Sequence, residues 1–249
     1  MLKKRIIPTI LTDGSSQVKG TNFNSWRTVG SVLTAAKVFA RRDVDELVLL
    51  DVSATKLNRI ISPELVNQLA EFLRIPFAVG GGVSTLGEIE LLLAAGADKV
   101  VIGTNFIENP KFITQASEAF GKQAIVCSVD SGNEGGKFCF TRSGDIKVDK
   151  SATKLASLAE RSGAGEILLQ SVWRDGTMEG FDKELIREVC SEVSIPVMVS
   201  GGAGQVRDFL NAIELGASAV CAGAIFQFTS CTPSEVRDFL RSNNVPVRL

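Results

Sequence analysis

The sequence contains no histidine, and this absence removes the side chain most often used for acid/base catalysis. Every mechanism that needs imidazole as a base, a nucleophile or a metal ligand is therefore excluded. Any proton transfer must use a carboxylate, a lysine, a cysteine, a hydroxyl group or water.

The spacing of the cysteines also gives no sign of a metal site or of disulfide bonds. The chain has five cysteines, an odd number without any CxxC pair: Cys127, Cys139, Cys190, Cys221 and Cys231. This pattern favours reduced, inert thiols that pack as small apolar side chains, and it argues against disulfides and structural zinc. We expect neither a metal nor a cofactor.

The chain also lacks an excess of charge of either sign and lacks long apolar runs. Lysine and arginine total 27 against 28 acidic residues, so no field would steer nucleic acid or an anionic membrane. No apolar run approaches the roughly 20 residues that span a bilayer. The apolar stretch near the N-terminus is broken by Pro8 and ends at Asp13, with no signal-peptide cleavage site. We expect a cytoplasmic protein with neither nucleic-acid nor membrane partners.

What is present is a regular alternation of short β-rich apolar runs and longer helical patterns, which is typical of parallel strands joined by helices. Residues 62–73, for example, open with Ser-Pro and continue with helical spacing. Strands are predicted near 5–10, 46–51, 77–80, 98–103, 124–129, 166–171, 196–200 and 218–223. Eight such strands predict an α/β fold, a closed (β/α)8 TIM barrel.

The chain also repeats itself after 120 residues, which fixes the architecture more firmly. The matching segments are 45–47 with 165–167, 75–76 with 195–196, 81–82 with 201–202 and 96–97 with 216–217. Four matches at one offset, in the same order of strand and loop, predict two similar half-barrels fused into a single domain over residues 1–249.

Glycines follow the same strands of both halves, at 80–82 and 201–202, and each next strand ends in Gly103-Thr104 or Gly223-Ala224. Glycine lets backbone N–H groups approach a ligand, and the helix that follows favours an anion such as phosphate. The alternative is that these glycines only form tight turns. Two symmetric copies predict two anion sites, for a ligand with a phosphate at each end or with a diphosphate or nucleotide group in one site.

Several motifs then carry a family resemblance over essentially the full length: KRIIP at 4–8, VKG at 18–20, DELVLLDV at 45–52, VGGGV at 79–83, GADKV at 96–100, GAGEILL at 163–169, RDGT at 174–177 and SGGAG at 200–204. The chain resembles the cyclase subunit of imidazole glycerol phosphate synthase. The resemblance implies a glutaminase partner that docks on the N-terminal face of the barrel. It also implies that ammonia passes through the barrel to the opposite mouth.

The resemblance implies site residues at both ends. Asp130 matches one of two catalytic aspartates that cleave and cyclise a bisphosphorylated ribulosyl nucleotide. The phosphate-binding positions are Lys19, Gly82, Gly103, Thr104, Asp175, Gly176, Gly202, Gly223 and Ala224. The ammonia gate matches Arg5, Glu46, Lys99 and Glu166, and Asp98 matches a position that faces the glutaminase. The gate residues could instead be an ordinary paired set at the bottom of a barrel.

The other catalytic aspartate is missing, because Leu11 stands in its place. The internal repeat supports this alignment: residues 7–10 pair with 126–129 at an offset of 119, which pairs Leu11 with Asp130. Asp13 cannot occupy the same point, since each strand residue advances the chain by about 3.3 Å. Losing an acid/base group costs about 100- to 10,000-fold in rate, so we expect little or no cyclase activity.

Further departures from the family pattern occur at Gly103, Gln170, Trp173, Ala224 and Gln227, where asparagine, threonine, an acidic residue, serine and histidine are usual. The leading hypothesis is a divergent synthase-type subunit of a glutamine-dependent amidotransferase. Its resemblance to relatives that accompany amidation of surface-polysaccharide sugars implies that its ammonia serves such a sugar, with a separate ligase. The alternative is a true cyclase of histidine biosynthesis, a lyase in which Asp13, Asp51 or water replaces the lost aspartate. A third is a phosphate-binding barrel without a partner.

Overall fold

A computed structural model describes residues 3–42 and 44–248. Its strands and helices follow in chain order: β1 Arg5–Thr12, β2 Gln17–Thr21, β3 Asn24–Gly30, α1 Val32–Ala40, β4 Leu47–Asp51, α2 Pro63–Ala70, β5 Phe77–Gly80, α3 Leu86–Ala94, β6 Lys99–Ile102, α4 Thr104–Glu108, α5 Pro110–Phe120, β7 Ile125–Ser131, β8 Cys139–Thr141, β9 Ile146–Val148, α6 Ala152–Arg161, β10 Glu166–Ser171, α7 Lys183–Glu192, β11 Val197–Ser200, α8 Val206–Glu214, β12 Ala219–Ala222, α9 Ala224–Phe228 and α10 Pro233–Ser242. Three short 3-10 turns lie between them.

Eight of the strands form a closed parallel barrel in the order β1, β4, β5, β6, β7, β10, β11 and β12. The ring closes where β12 pairs in parallel with β1, with Arg5 opposite Ala219 and Ile7 opposite Cys221. The predicted (β/α)8 TIM barrel is therefore confirmed. The predicted strand ranges agree with the observed ones to within two residues, and the largest extensions are those of β1 to Thr12 and of β7 to Ser131.

The two halves repeat in structure as they do in sequence. An antiparallel hairpin follows the first strand of each half, β2–β3 after β1 and β8–β9 after β7. Short helices α4 and α9 also begin 120 residues apart, at Thr104 and Ala224. The sequence pattern predicted neither hairpin, because strand β3 is mostly exposed on both faces and lacks the apolar alternation that marks a half-buried strand.

Local signals explain several helix starts. Ser62 caps α2 by accepting a hydrogen bond from the Leu65 N–H, with proline at the first helical position. This helix ends at Ala70, earlier than the 62–73 pattern indicated. Thr85 and Glu88 form a reciprocal capping box at the start of α3. Among the described residues, no helix is long and apolar enough to cross a membrane.

Two apolar clusters lie on opposite faces of the barrel strands. The larger one fills the space between the strands and the surrounding helices. The smaller one lies inside the barrel, and we call it the apolar layer: Ile7, Val48, Ala78, Val101, Val126, Leu168, Met198, Ala219 and Cys221. Because strand side chains alternate between faces, residues two positions further along point into the same interior. The layer thus separates two ends of the barrel interior.

Candidate functional site

A cavity of about 340 Å³ opens at the carboxyl ends of the barrel strands. Its wall contains Asp130 and all nine positions predicted to bind phosphate: Lys19, Gly82, Gly103, Thr104, Asp175, Gly176, Gly202, Gly223 and Ala224. The fold therefore brings together residues that are up to 205 positions apart in the chain, from Lys19 to Ala224. Their roles in binding and chemistry remain predictions.

Asp130 lies at the end of β7, and its carboxylate is fixed by two side chains. Ser128 Oγ donates to Asp130 Oδ1 at 2.8 Å, and Gln170 Nε2 donates to the same oxygen at 3.0 Å. Gln170 Nε2 also lies 3.2 Å from Ser128 Oγ. Burial raises the pKa of Asp130, while the bonds from Ser128 and Gln170 oppose that rise.

Leu11 faces this aspartate's cavity from strand β1. Its side chain lines the cavity wall, is buried, and lies opposite Leu50 of β4 and Val18 of β2 in the sheet register. The position that would carry a second carboxylate is therefore apolar, and an alkyl side chain neither accepts nor donates a proton.

The two carboxylates considered as replacements are occupied elsewhere. Asp13 accepts bonds from Ser15 and Ser16 in its own loop and is absent from the cavity wall. Asp51 lines the cavity, but its Oδ2 lies 2.5 Å from Arg59 Nη1 and its Oδ1 accepts from Ser53. Asp13 therefore does not reach the cavity, and the Asp51 carboxylate is already paired with Arg59.

Lys19, which is buried, and Asp175, which is partly exposed, are two further charged side chains in the cavity. Lys19 Nζ donates to the Thr9 carbonyl at 3.1 Å and occupies the space that a side chain on Gly223 would need. Burial lowers the pKa of Lys19 to about 8, with Asp175 opposing the shift. Burial raises the pKa of Asp175 to about 6, while the charge of Lys19 lowers it and that of Asp130 raises it. This group changes charge close to neutral pH.

Three of the predicted phosphate glycines are required by the backbone. Gly82, Gly176 and Gly202 have φ values of 72°, 74° and 115°, in the region that disfavours other residues. A Cβ on Gly82 or Gly202 would overlap the carbonyl of Arg59 or Gly180. These turns hold backbone N–H groups close to the cavity.

Gly103 differs from those glycines. A Cβ there would meet only Ser128 Cβ, at an ordinary contact of 3.6 Å. The backbone tolerates a side chain at this position, so glycine here leaves additional room beside Ser128 and Asp130. Thr104, which begins α4, accepts a hydrogen bond from the Arg142 N–H at 2.9 Å.

The β2–β3 hairpin folds across the mouth, and sequence reasoning missed it. Asn22 N–H donates to the Asp175 carbonyl at 2.9 Å, and Phe23 and Trp26 line the cavity. Asn22 and Phe23 both have positive φ, 52° and 55°, in a tight turn between paired Thr21 and Asn24. The usual Asn-Gly signal of such a turn is absent because phenylalanine takes the second position.

Two of the departures from the family pattern lie at this end of the barrel but do not line the cavity. Trp173 turns its Nε1 to Asp182 Oδ2 at 3.1 Å, and Gln227 accepts from Gln17 Nε2 at 3.3 Å. Gly103, Gln170 and Ala224 do line the cavity. The wall is therefore changed at these three positions and at Leu11.

The four predicted gate residues meet at the other end of the barrel, at the start of β1, β4, β6 and β10. We call them the charge ring. Arg5 Nη1 lies 2.6 Å from Glu46 Oε2, and its Nη2 pairs with Glu166. Lys99 Nζ lies 2.8 Å from both Glu46 and Glu166. The four side chains form a closed cycle in which positive and negative charges alternate.

Burial opposes the charge of Arg5, but the hydrogen bonds and charges of Glu166 and Glu46 outweigh it and raise the pKa of the guanidinium. Arg5 therefore stays charged within the ring. Asp98 lies exposed at the same end and accepts a hydrogen bond from the Phe77 N–H at 2.9 Å. Within the described residues, no group of three or more acidic or cysteine side chains could hold a metal ion.

Comparisons with known proteins identify the family to which the sequence is similar. The model of the family described as histidine biosynthesis protein matches residues 5–232. Imidazole glycerol phosphate synthase subunit HisF of Dehalococcoides mccartyi strain 195 is 42% identical over the whole of this chain and 99% of its own length. The corresponding protein of Endomicrobium trichonymphae is 43% identical over all of this chain and 96% of its own. A Campylobacter jejuni protein named as subunit HisF2 of the same synthase is 38% identical over both full lengths. The chain belongs to the histidine biosynthesis protein family and, within it, to the imidazole glycerol phosphate synthase cyclase subunits.

Proposed function

We propose that this chain is the synthase-type subunit of a glutamine-dependent amidotransferase, which receives ammonia from a glutaminase partner and delivers it through the barrel to a phosphorylated acceptor. One observation carries the proposal: the charge ring is complete at one end of the barrel, whereas Leu11 removes half of the acid/base pair at the other. A chain that served only cyclisation would need both the charge ring and a complete acid/base pair.

The charge ring supports a transport role because buried charges are costly. Each of its four members loses hydration, and that loss is offset only by mutual pairing. Glu46 and Glu166 are nearly inaccessible, and they lie at the same position of each half of the repeat. Hydrophobic residues would stabilise this end of the barrel at least as well, so the ring fits a gate that opens when a partner docks nearby.

The glycine turns support a phosphorylated ligand at the other end. Gly82 and Gly202 follow equivalent strands of the two halves and line one cavity, so two phosphates of a single ligand could be held on opposite sides. We propose a sugar destined for surface polysaccharide as the final recipient of the nitrogen, activated by a separate ligase. The choice of a sugar rests on the family resemblance alone, while the departures at Leu11, Gly103 and Gln170 argue against the usual cyclase substrate.

The test is to mix the purified chain with its cognate glutaminase and to measure complex formation and glutamine hydrolysis. We expect a stable heterodimer and stimulated hydrolysis, with Asp98→Lys weakening the complex. The matched control is Asp238→Lys, which changes an exposed aspartate of α10 on the outside of the barrel. If no complex forms and hydrolysis is unchanged, with or without phosphate, the proposal is wrong.

A cyclase function is the second candidate, and the full-length identity to proteins named HisF favours it. Supplying the bisphosphorylated ribulosyl nucleotide with an ammonium salt tests it without any glutaminase. Product that forms with the wild-type chain and disappears in Asp130→Asn would establish the cyclase. No product would leave the amidotransferase role as the better account.

A further inference from the structure

The β8–β9 hairpin reaches over the mouth of the cavity, and the proposed function does not use it. We call residues 142–145, which connect its two strands, the hairpin tip. At its start, the Arg142 N–H donates to Thr104 Oγ1 at 2.9 Å. At its end, Asp145 Oδ1 lies 2.7 Å from Lys56 Nζ. Contacts with two other segments therefore hold the tip at the mouth, where Arg142 lines the cavity wall.

The backbone of the hairpin tip does not favour the residues that occupy it. Arg142 and Ser143 both have positive φ, 53° and 55°. Asn22 and Phe23 have nearly the same values, 52° and 55°, at the tip of the β2–β3 hairpin 120 positions earlier. Glycine, asparagine and aspartate adopt this conformation most readily, whereas arginine and serine do so at a cost. Residues kept in such conformations often lie at ligand clamps, so the turn alone does not explain an arginine at position 142.

Arg142 is one of the cations that line the cavity, together with Lys19 and Arg59. Lys19 donates a hydrogen bond to the Thr9 carbonyl, and Arg59 donates to the carboxylate of Asp51. The side chain of Arg142 is 42% exposed and donates no hydrogen bond to any residue that the structure describes. Arg142 thus keeps its guanidinium donors available for a ligand.

Glu108 is the acidic side chain paired with Arg142, and the pair is weak. Arg142 Nε lies 4.0 Å from Glu108 Oε1, and the Glu108 side chain is 51% exposed. An ion pair this long and this exposed contributes little to stability. Glu88 also lines the cavity, but its Oε2 already accepts hydrogen bonds from the N–H groups of Ser84 and Thr85. A ligand anion with several oxygens would therefore bind Arg142 better than Glu108 does.

The wall beside Arg142 has room and a further donor for such an anion. Gly103 carries no side chain, and a Cβ there would meet only Ser128 Cβ, at 3.6 Å. The Thr104 hydroxyl accepts the Arg142 N–H, which leaves its own hydrogen available to donate to a ligand. The turn at residues 103–104 thus offers space and a hydroxyl donor next to the guanidinium.

The two halves of the mouth differ at this point. The position equivalent to Arg142 in the β2–β3 hairpin is Asn22. Its side-chain amide donates to the carbonyls of Val172 and Trp173. An amide carries no charge, and this one is already occupied. The hairpin tips therefore supply a cation to the half of the mouth that contains the 103–104 turn, and a neutral side chain to the other half.

We propose that Arg142 is a specificity-determining residue that binds a phosphate group of the ligand beside the 103–104 turn. Rotation of its side chain exchanges the carboxylate of Glu108 for the phosphate, while the hydrogen bond to Thr104 keeps the tip in place. That the ligand carries phosphate rests on the proposed function. Because Asn22 has no charge, phosphate binds more tightly at the 103–104 turn than near Gly202, and a ligand with unequal ends enters the mouth in one orientation.

The test uses the full-length chain without glutaminase, labelled with 15N, and titrates it with sodium phosphate at constant ionic strength. In the NMR spectra, the amide signals of Gly103 and Thr104 report on one half of the mouth, and that of Gly202 reports on the other. We expect saturable changes in both halves. Arg142→Asn should bind phosphate about tenfold more weakly at Gly103 and Thr104, with unchanged affinity at Gly202. Equal affinities of variant and wild type at Gly103 and Thr104 would overturn the proposal.

Asparagine at position 142 separates a binding role from a structural one. It accepts a positive φ more readily than arginine, so the free energy of unfolding in urea should stay the same or rise while the phosphate affinity falls. A loss of stability, with weaker binding at Gly202 as well, would show that Arg142 is only structural and that the proposal is wrong. The matched control Arg187→Asn changes an exposed arginine of α7 and should bind phosphate as the wild type does.

Glu108→Gln examines the competing carboxylate. Without that charge, phosphate should bind about threefold more tightly at Thr104, whereas Glu118→Gln, on the exposed surface of α5, should leave the affinity unchanged. Sodium acetate at the same ionic strength should bind more weakly than phosphate, and tighter binding of acetate would contradict the assignment of a phosphate. Because no glutaminase is present, failure here is distinct from failure to form the heterodimer.

Discussion

The substitution Leu11→Asp restores a carboxylate opposite Asp130 and tests the account of the missing acid/base pair. Leu11 is buried against the register neighbours Leu50 and Val18, and burying a leucine side chain is worth about 1.5–3 kcal/mol. The new carboxylate also loses hydration near Asp130. We expect a stability loss of about 3 kcal/mol at mildly alkaline pH.

The pH dependence of that loss has a definite sign. Burial and the nearby Asp130 raise the folded-state pKa of the introduced aspartate above its unfolded value. The destabilisation is then complete above the folded-state pKa and is relieved as the pH falls below it. Urea unfolding should be measured well above and well below the folded-state pKa of the introduced aspartate. The difference in unfolding free energy from the wild type should be smaller below that pKa.

The Leu11→Asp variant should convert the cyclase substrate much faster than the wild-type chain does. A restored acid/base group is worth about 100- to 10,000-fold, provided that Gly103 and Gln170 still admit the substrate. The assay supplies the bisphosphorylated ribulosyl nucleotide with ammonium salt, and Leu11→Asn serves as the control of equal size without acid/base chemistry. Wild-type turnover equal to that of Leu11→Asp would refute the reasoning, because the second carboxylate would then be dispensable.

Three further predictions follow from the geometry. Glu46→Gln leaves the ring cations with one carboxylate between them and should lower the free energy of unfolding by about 2 kcal/mol, measured in urea; an unchanged midpoint would contradict the ring's closure. Sulfate binding, followed by calorimetry, should weaken as the pH rises through about 6 and again through about 8, as Asp175 ionises and Lys19 loses its proton; Lys19→Met should abolish the second step. Gly202→Ala should reduce both stability and sulfate binding because its φ is 115°, whereas Gly87→Ala, where a Cβ meets nothing within 4 Å, should stabilise α3 by about 1 kcal/mol.

The two ends of the barrel differ in how closely their side chains are held by partners. The charge ring is a closed cycle of four ion pairs, and each member is held by two partners. At the cavity, by contrast, position 11 carries the apolar Leu11 and position 103 carries only a glycine. The side-chain amide of Gln170 donates a hydrogen bond to Asp130. A protein that conducts ammonia needs the first end unchanged, while a new acceptor requires changes at the second.

Sequence alone determined the barrel, because strand and helix periodicities and a 120-residue repeat are local or pairwise properties of the chain. It also placed Asp130, Leu11 and the glycines after the strands at one mouth, since the carboxyl ends of parallel strands meet at one edge. It could not show that Trp173 turns away to Asp182 or that Asp51 is held by Arg59, because a side chain's direction depends on its neighbours.

Only the tertiary structure revealed the hairpin across the mouth, whose exposed strand carries no apolar alternation. It alone showed that the hydroxyl of Thr9 is buried without a hydrogen-bond partner among residues 3–42 and 44–248, and that Gln170 bonds Asp130 from the neighbouring strand. These contacts join strands far apart in the chain, and their closeness follows from closing the barrel. The sequence therefore named the residues of both ends, and the fold decided which of them touch.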